Sequence, residues 1–323
     1  MIKYVIKRIV QMIPILIGVS LLVFFMLSFS PGDPARLALG MNAKPEQIET
    51  FNRENGLDKP IPVQYFNYMK KLVTGDLGIS YTTKQSVASM IAVRLPATCI
   101  LAFGSLFFTY LLSIPLGILL AVKQNTWFDD TYRVVALLAS SMPSFWLGML
   151  LILLFAVNLN VLPSNGFSTP MHWILPLLCS CFGTWASSSR YIRSMVLDTI
   201  RQDYIRTARA KGTPEKQVLF RHAFKNAMLP LITSIGFSIG NFFGGSIVLE
   251  QVFGINAMGR MMLAALREKD IPTVMGGVII TAVMIALGNL IADLLYGVVD
   301  PRIRSMYVSG SAKKVTKKEE KAA

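Results

Sequence analysis

The sequence predicts an all-α membrane protein with six transmembrane helices. Its 323 residues are 53% hydrophobic, and the mean hydropathy of +0.51 is too high for an ordinary soluble protein. Long runs without charge alternate with charged segments, and these runs can cross a hydrocarbon core of about 30 Å. Lys and Arg are concentrated in every second segment between the runs. Together, these three observations indicate a multi-span topology.

The distribution of charge predicts the orientation of the chain. The formal net charge is +14, and the segments assigned to the inside hold 21 basic and 8 acidic residues, whereas those assigned to the outside hold 11 and 9. Such an excess marks cytoplasmic loops, so it is a topology signal rather than a nucleic-acid-binding surface. Both termini are expected in the cytoplasm, and the tail at 301–323 is expected to be disordered there.

Residues 1–30 are expected to form a short cytoplasmic end and the first span. Lys3, Lys7 and Arg8 precede an uncharged run of 21 residues at 9–29. This run is longer than the apolar core of a signal peptide and has no small-residue cleavage site after it, which predicts a retained span.

Residues 31–94 are polar and are expected to form a small extracytoplasmic insert between spans one and two. Clusters of Gly, Pro and Asp mark several turns in it. Two helices are predicted inside the insert, one at 45–55 and an amphipathic one at 63–73.

Residues 95–300 are expected to form the transmembrane permease core. Its uncharged run at 134–189 is too long for one span, and a cluster of Pro, Asn and Gly at 158–170 divides it into two spans joined outside. The remaining spans of the core are predicted at 95–122, 228–249 and 273–299. Prolines interrupt five of the six predicted spans, at positions 14, 115, 143, 176 and 230.

The cytoplasmic loop at 190–227 contains the most distinctive stretch of the chain. It predicts two short helices, one at 204–211 and one that runs from Pro214 to about residue 227. Gly212 is expected to end the first helix, and Thr213 is expected to cap the second, with Pro214 at its first position. The pattern leaves two interpretations open: an amphipathic helix lying on anionic lipid, or a docking element for a soluble protein.

Small and polar residues in the fifth span are candidates for the translocation path and for helix packing. Ser234, Ser238 and Asn241 are the pore-lining candidates. A glycine at every fourth residue gives one helix face a smooth surface that another helix can approach closely. Packing within the chain and packing against a second permease both remain open for these glycines, which are Gly236, Gly240 and Gly244.

The sequence contains no constellation typical of an enzyme or a metal site. A phosphate-binding P-loop pattern is absent, so the chain is not expected to hydrolyse ATP itself. Ser187, Ser188 and Ser189 have no suitable acid or histidine partner, so no catalytic residue is predicted. The three cysteines and two histidines do not form a metal-ligand pattern, and no metal is expected.

Asp293 is the one acid placed well inside a predicted span, near the cytoplasmic end of the sixth. Its position favours a helix-end residue capped by a neighbouring chain over a proton relay. An autonomous secondary carrier therefore stays open as a less favoured alternative.

The basic stretch resembles the coupling loop of a known family of transporters. Residues 204–212 read Tyr-Ile-Arg-Thr-Ala-Arg-Ala-Lys-Gly and are followed by His222 and by Asn-Ala-Met-Leu-Pro at 226–230. This pattern is similar to that of permeases in the dipeptide, oligopeptide and nickel branch of ABC importers. The insert at 31–94 and the Asp-Pro-Arg at 300–302 resemble those of the first permease in peptide-type systems. The resemblance implies the type I ABC importer fold.

The resemblance also implies a set of partners. In that family a short helix of the loop inserts into a cleft of the ATP-hydrolysing subunit. It implies a second homologous permease that completes a heterodimeric pore, two ATP-binding subunits that carry ATP and Mg, and an extracytoplasmic substrate-binding protein. No cofactor is implied in this chain. The residues that the resemblance assigns to ATPase coupling are Arg206, Thr207, Ala208, Arg209, Ala210, Lys211, Gly212, Thr213 and Pro214.

The expected function is therefore that of a non-catalytic permease subunit in a bacterial cytoplasmic membrane. The resemblance favours uptake of di- or oligopeptides. A nickel or metallophore permease remains an alternative, because a binding protein can select the substrate outside the pore.

Overall fold

The chain folds almost entirely into α-helices. The structure is a computed structural model that describes residues 2–218, 224–244 and 247–299. Within these ranges the only extended pairing is one antiparallel bridge between Ile79 and Ser86. In chain order the helices are α1 (Ile2–Phe29), α2 (Pro34–Leu39), α3 (Pro45–Asn55), α4 (Ile61–Val73), α5 (Val87–Val122), α6 (Trp127–Ser141), α7 (Ser144–Leu151), α8 (Pro170–Ile200), α9 (Asp203–Ala210), α10 (Glu215–Gln217), α11 (Phe224–Gly244), α12 (Ile247–Val252), α13 (Met258–Arg267) and α14 (Ile271–Val299).

Three of the described helices are long and apolar enough to cross a membrane. They comprise Val5–Phe29 in α1, the whole of α5, and Ile271–Leu294 in α14. A fourth span results if α6 and α7, with the π-helical continuation of α7 at Ile152–Asn158, count as one span that bends by 98°. Helix α8 contains the predicted fourth span and continues to Ile200, beyond the end of the uncharged run at 189. Helix α11 begins four residues before the predicted fifth span and ends five residues before the predicted end of that span. The total of six spans stays a prediction.

Helix α5 begins eight residues before the predicted start of the second span. Val87 at its first turn is fully buried against Met258 and Met261. Arg94, the charge that precedes the uncharged run, lies inside the helix and donates to Met90 O at 2.8 Å and to Asn256 Oδ1 at 3.1 Å. A charged residue did not end the helix, because its long side chain reaches polar partners at the helix surface.

The polar segment at 31–94, the predicted insert, packs onto the C-terminal end of α1 and the N-terminal end of α14. Helix α3 has the predicted bounds, and α4 begins two residues earlier than predicted. The insert contributes Phe51 and Tyr81 to a buried cluster that also contains Phe24 of α1 with Ile271 and Met275 of α14. The insert is thus part of the same hydrophobic core as two of the membrane helices.

Two adjacent charged residues before α14 fasten the insert at both of its ends. The carboxylate of Asp270 is buried and accepts from Tyr81 N at 3.0 Å and from the hydroxyl of Thr273 at 2.8 Å, and the hydroxyl of Ser80 also donates to it. The buried ammonium of Lys269 donates to the carbonyls of Ser30 and Gly32, just after α1. Burial lowers the pKa of Lys269, which the nearby Asp33 opposes.

Asp270→Ala should loosen the insert without removing the membrane helices. The substitution leaves Tyr81 N and two hydroxyls without their buried acceptor, and we expect it to reduce stability by about 3 kcal/mol. Limited proteolysis of the purified protein should then cleave within residues 75–86. Asp58→Ala is the control, because Asp58 lies in the same insert but is exposed. Unchanged protease resistance of Asp270→Ala would contradict the fastening role.

Candidate coupling surface

A short helix, α9, follows the long helix α8 after only two residues, Arg201 and Gln202. One side of α9 is buried, because Ile205 and Ala208 pack with Val218. This small apolar cluster holds α9 and α10 together as one unit at the end of α8. A force applied to this unit is therefore transmitted directly to α8.

Gly212 ends α9 in the way that the sequence predicts. Its φ of +76° is left-handed, a conformation in which a side chain is unfavourable. The amide of Gly212 donates to Arg209 O at 2.9 Å and that of Thr213 donates to Ala208 O at 3.3 Å. This pair of hydrogen bonds is a Schellman motif, which satisfies carbonyls at the end of the helix.

The predicted cap of the second short helix is wrong by one residue. The N-cap is Pro214, with φ of −56° and ψ of 140°, and Glu215 is the first helical residue. The N-cap position thus falls on a residue without a polar side chain, and the helix has no side-chain cap. The described part of the second helix ends at Gln217, with Val218 continuing in helical conformation; its predicted extension to about residue 227 crosses residues 219–223, which lie outside the described ranges.

An ion pair braces the two short helices across the turn. Arg209 donates to both carboxylate oxygens of Glu215, from Nε at 3.0 Å and from Nη2 at 2.6 Å. The hydrogen bond from Arg209 lowers the pKa of Glu215, and the same bond raises the pKa of Arg209. Arg209 is thus bound within the chain and not held free for an acid on a partner.

The residues assigned to ATPase coupling divide into an exposed majority and one buried member. Ala208 was expected at the docking surface, but it is only 8% exposed. It lies on the inner side of α9, where its small side chain allows contact with Val218. The exposed or half-buried members of the set are Arg206, Thr207, Arg209, Ala210, Lys211, Gly212, Thr213 and Pro214.

The exposed face is small and basic. Among the described residues, Arg206 has only a long contact of 3.8 Å, with Asp203, and Lys211 has no ion-pair partner. The side chains of Arg206 and Asp203 are largely exposed. A methyl group added at Gly212 would meet no atom of the described residues within 4 Å. Such an exposed basic surface can fit into an acidic cleft of another protein.

A buried ion pair, which the sequence did not predict, joins the C-terminal part of α8 to α6. Arg193 of α8 donates to both oxygens of Asp129, from Nε at 2.7 Å and from Nη2 at 2.5 Å. Asp129 is fully buried in the first turn of α6 and also accepts from Asn125 N at 3.0 Å. The one available signal was an acid and a base at the ends of two uncharged runs. Their pairing could not be read from positions 64 residues apart.

Two of the three pore-lining candidates take part in a contact inside the chain. The hydroxyl of Tyr110 on α5 is hydrogen-bonded to Ser238 Oγ at 2.8 Å and to Ser234 Oγ at 3.2 Å. Ser234 and Ser238 therefore join α11 to α5. Asn241 lies on the same helix, near its end.

The glycines of α11 lie where α14 approaches. A methyl group added at Gly236 would come within 2.6 Å of Ala292 Cβ, and one at Gly240 would contact Ile285 at 3.4 Å. These distances place both glycines against a helix of the same chain. Gly244 is the last residue of α11.

Asp293 is paired within the chain. Its carboxylate lies 2.9 Å from the guanidinium of Arg8 on α1, so the partner is not the neighbouring chain that was expected. An acid that is paired with a permanent cation fits a structural contact between α1 and α14 better than a proton relay.

Some residues that carried the resemblance lie outside the described ranges, namely His222 and the Asp-Pro-Arg at 300–302. Among the described residues no group of three or more His, Cys, Asp or Glu side chains is placed to hold a metal ion. Cys99, Cys179 and Cys181 are free thiols.

Helices long and apolar enough to cross a membrane, followed after α8 by an exposed basic turn, are compatible with the membrane subunit of a transporter. Residues 113–305 match the family model of the binding-protein-dependent transport system inner membrane component, and residues 1–102 match the model of its N-terminal part. The chain belongs to this family of ABC transporter permeases.

The relatives with the most similar sequences extend over almost the whole chain. The oligopeptide transport system permease protein AppB of Bacillus subtilis is 38% identical over 94% of this chain and 99% of its own length. The glutathione transport system permease protein GsiC of Pectobacterium atrosepticum is also 38% identical, over the same shares. Membership of this family decides against the autonomous secondary carrier.

A solved structure shares the fold. The MetNI methionine ABC transporter, in inward-facing conformations, superposes with a TM-score of 0.55 at 19% identity. The superposition covers 65% of this chain and 96% of the MetNI chain. At this identity the likeness shows the fold alone, and it agrees with the permease fold that the resemblance implied.

Asp129→Ala should weaken the connection between α6 and α8. It leaves Arg193 largely buried without its partner, and we expect a loss of about 3 kcal/mol in stability. In the assembled transporter, the amount of substrate imported per ATP hydrolysed should fall, because α6 no longer follows α8. Asp130→Ala is the control, since this neighbouring acid is mostly exposed and, among the described residues, forms an ion pair only with Arg133. An import ratio equal to that of the control would contradict the connecting role.

Proposed function

We propose that this chain is one half of the pore of an importer for di- or oligopeptides. Two relatives that are 38% identical over 94% of the chain are named for oligopeptide and glutathione transport, and glutathione is itself a short peptide. The shared chemistry of those two names favours peptides over nickel or a metallophore.

The proposed layout follows the charge distribution. Residues 1–30 form the cytoplasmic end and first span, 31–94 the extracytoplasmic insert, 95–300 the core with its coupling loop at 190–227, and 301–323 the tail. Both termini lie in the cytoplasm, and six helices cross the membrane. The excess of basic residues in the segments assigned to the inside supports this orientation.

Permeases of this family work with ATP-binding subunits and a substrate-binding protein. We propose two ATP-binding subunits, which bind ATP and Mg, a second homologous permease and an extracytoplasmic binding protein. The unit of α9 and α10 is the docking element for one ATP-binding subunit. The observation that carries this assignment is the exposed basic turn around Gly212, braced by the Arg209–Glu215 pair.

For α9 and the turn that follows it, docking on a protein is a better explanation than adsorption on lipid. The lipid interpretation concerned the second short helix, whose residues 219–223 lie outside the described ranges. A helix that lies on lipid needs a continuous apolar face toward the membrane. In α9 the buried Ile205 and Ala208 are already used within the chain, against Val218. What the described part of the loop presents to a partner is mainly polar and charged.

The geometry also suggests how ATP binding reaches the pore. Movement of α9 acts on α8 through the short connection at Arg201 and Gln202. The Asp129–Arg193 pair carries that movement to α6, which leads to the 98° bend before α7. A bent pair of helices packed against a moving helix can open or close a path by rigid-body rotation.

Gly212→Trp should uncouple ATP hydrolysis from peptide transport. The bulky ring fills the open space beside the turn and obstructs the partner, while membrane insertion is unaffected. We expect fewer ATP-binding subunits to copurify with this chain and peptide-stimulated ATP hydrolysis to be lost. The measurement is subunit stoichiometry in mild detergent, together with ATP hydrolysis by the reconstituted complex.

Two controls separate bulk from backbone strain. Gly212→Ala imposes the left-handed strain, about 1–2 kcal/mol, without the bulk. Gly75→Trp places the same ring on a glycine with φ of +82° and equally open surroundings, but in the insert. Normal stoichiometry and hydrolysis in Gly212→Trp would overturn the assignment of this surface.

A further inference from the structure

A cavity of about 370 Å³ lies at the bend between α6 and α7, beside α8. Its size is within the range of small-molecule sites, near the lower limit. Among the described residues that line it none is charged, and five carry a hydroxyl group: Ser140, Ser144, Ser180, Thr184 and Ser187.

Several of these hydroxyls are available to a ligand. Ser140 and Ser187 donate to carbonyls of their own helices, at 3.0 Å each. Among the described residues, the hydroxyls of Ser144, Ser180 and Thr184 have no hydrogen-bond partner. Each can donate one hydrogen bond and accept others.

The hydroxyls that α8 contributes to the cavity form a polar face on that helix. They recur at intervals of four and three residues, which places them on one side of the helix. From first to last they extend over about 10 Å at 1.5 Å per residue. The residues of this polar face are Ser180, Thr184 and Ser187, and all three lie in the predicted fourth span.

The backbone at the bend between α6 and α7 indicates that water reaches the cavity. Ser144 begins α7 without a side-chain cap, and Pro143 before it has no amide hydrogen. Non-helical backbone at membrane depth is tolerated only where it is buried in protein or lines a water-filled cavity. The exposed Ser144 and Ser187 show that this bend is not covered within the chain.

From these observations we propose that the cavity and the polar face of α8 contact the main chain of the peptide as it crosses the membrane. The inference rests on the proposed function of peptide import and names the surface that serves it. Neutral hydroxyls match the N–H and C=O groups that every peptide presents. They do not select a charge, so the surface accepts varied side chains and leaves selection to the binding protein.

The test is photo-crosslinking from single positions in the complete transporter. p-Benzoylphenylalanine at Ser187 is compared with the same group at Leu178, which is 45% exposed but lies on the opposite side of α8. The complex with its second permease, ATP-binding subunits and binding protein is illuminated during turnover with tritiated trialanine. We expect ATP-dependent transfer of label to this chain from position 187 and not from position 178.

Two outcomes would contradict the inference. One is a complex that imports trialanine but transfers no more label from position 187 than from position 178. The other is crosslinking of position 187 to the second permease in place of the peptide, which would make the polar face a subunit interface. A complex that hydrolyses ATP with its binding protein but imports no peptide from a mixture of two to five residues contradicts the proposed function itself.

A substitution that preserves shape provides a second, independent readout. Thr184→Val removes one unpaired hydroxyl while keeping the side-chain volume. We expect peptide import per ATP hydrolysed to fall severalfold, with subunit stoichiometry unchanged. An unchanged import ratio in Thr184→Val combined with Ser180→Ala would overturn the contact at the cavity.

Discussion

The absence of water in a hydrocarbon core is the constraint on which this structure depends. Each backbone N–H and C=O at membrane depth must find a partner within the protein, so the segments that cross are helices. The same constraint limits where a helix can break. A sharp bend of 98° follows Ser141, and hydroxyls cluster around it.

Charged residues near the ends of the membrane helices are used to join those helices in pairs. Arg8 joins α1 to α14 at one end, and Lys269 holds the other end of α1 beside the start of α14. Asp129 and Arg193 join α6 to α8 next to the coupling unit. Each pair either contains a largely buried group or joins two helices that are far apart in the sequence. We therefore expect the joined helices to move together.

The sequence predicted those features that depend on local chemistry. The helical class, the bounds of α3 and the left-handed turn at Gly212 follow from hydrophobic runs, turn residues and the special backbone of glycine. Five prolines were read as interruptions, but Pro14, Pro115, Pro176 and Pro230 lie within continuous helices. Among the five, a sharp bend occurs only at Pro143, because Met142 before it adopts an extended conformation.

What sequence could not give are contacts between distant residues. Tyr110 is 124 residues from Ser234, so the use of this serine in helix packing was not predictable. Ala208 is small and lies between the exposed Arg206 and Arg209, but its side chain faces inward because it packs against Val218.

The most direct measurement of the central claim is crosslinking from Ala210→Cys on the assembled complex, with a short bismaleimide. The three native cysteines of the chain are replaced by alanine for this purpose. The account predicts a product with an ATP-binding subunit, and none from Met41→Cys in the insert. An active complex that gives no such product from position 210 would contradict it.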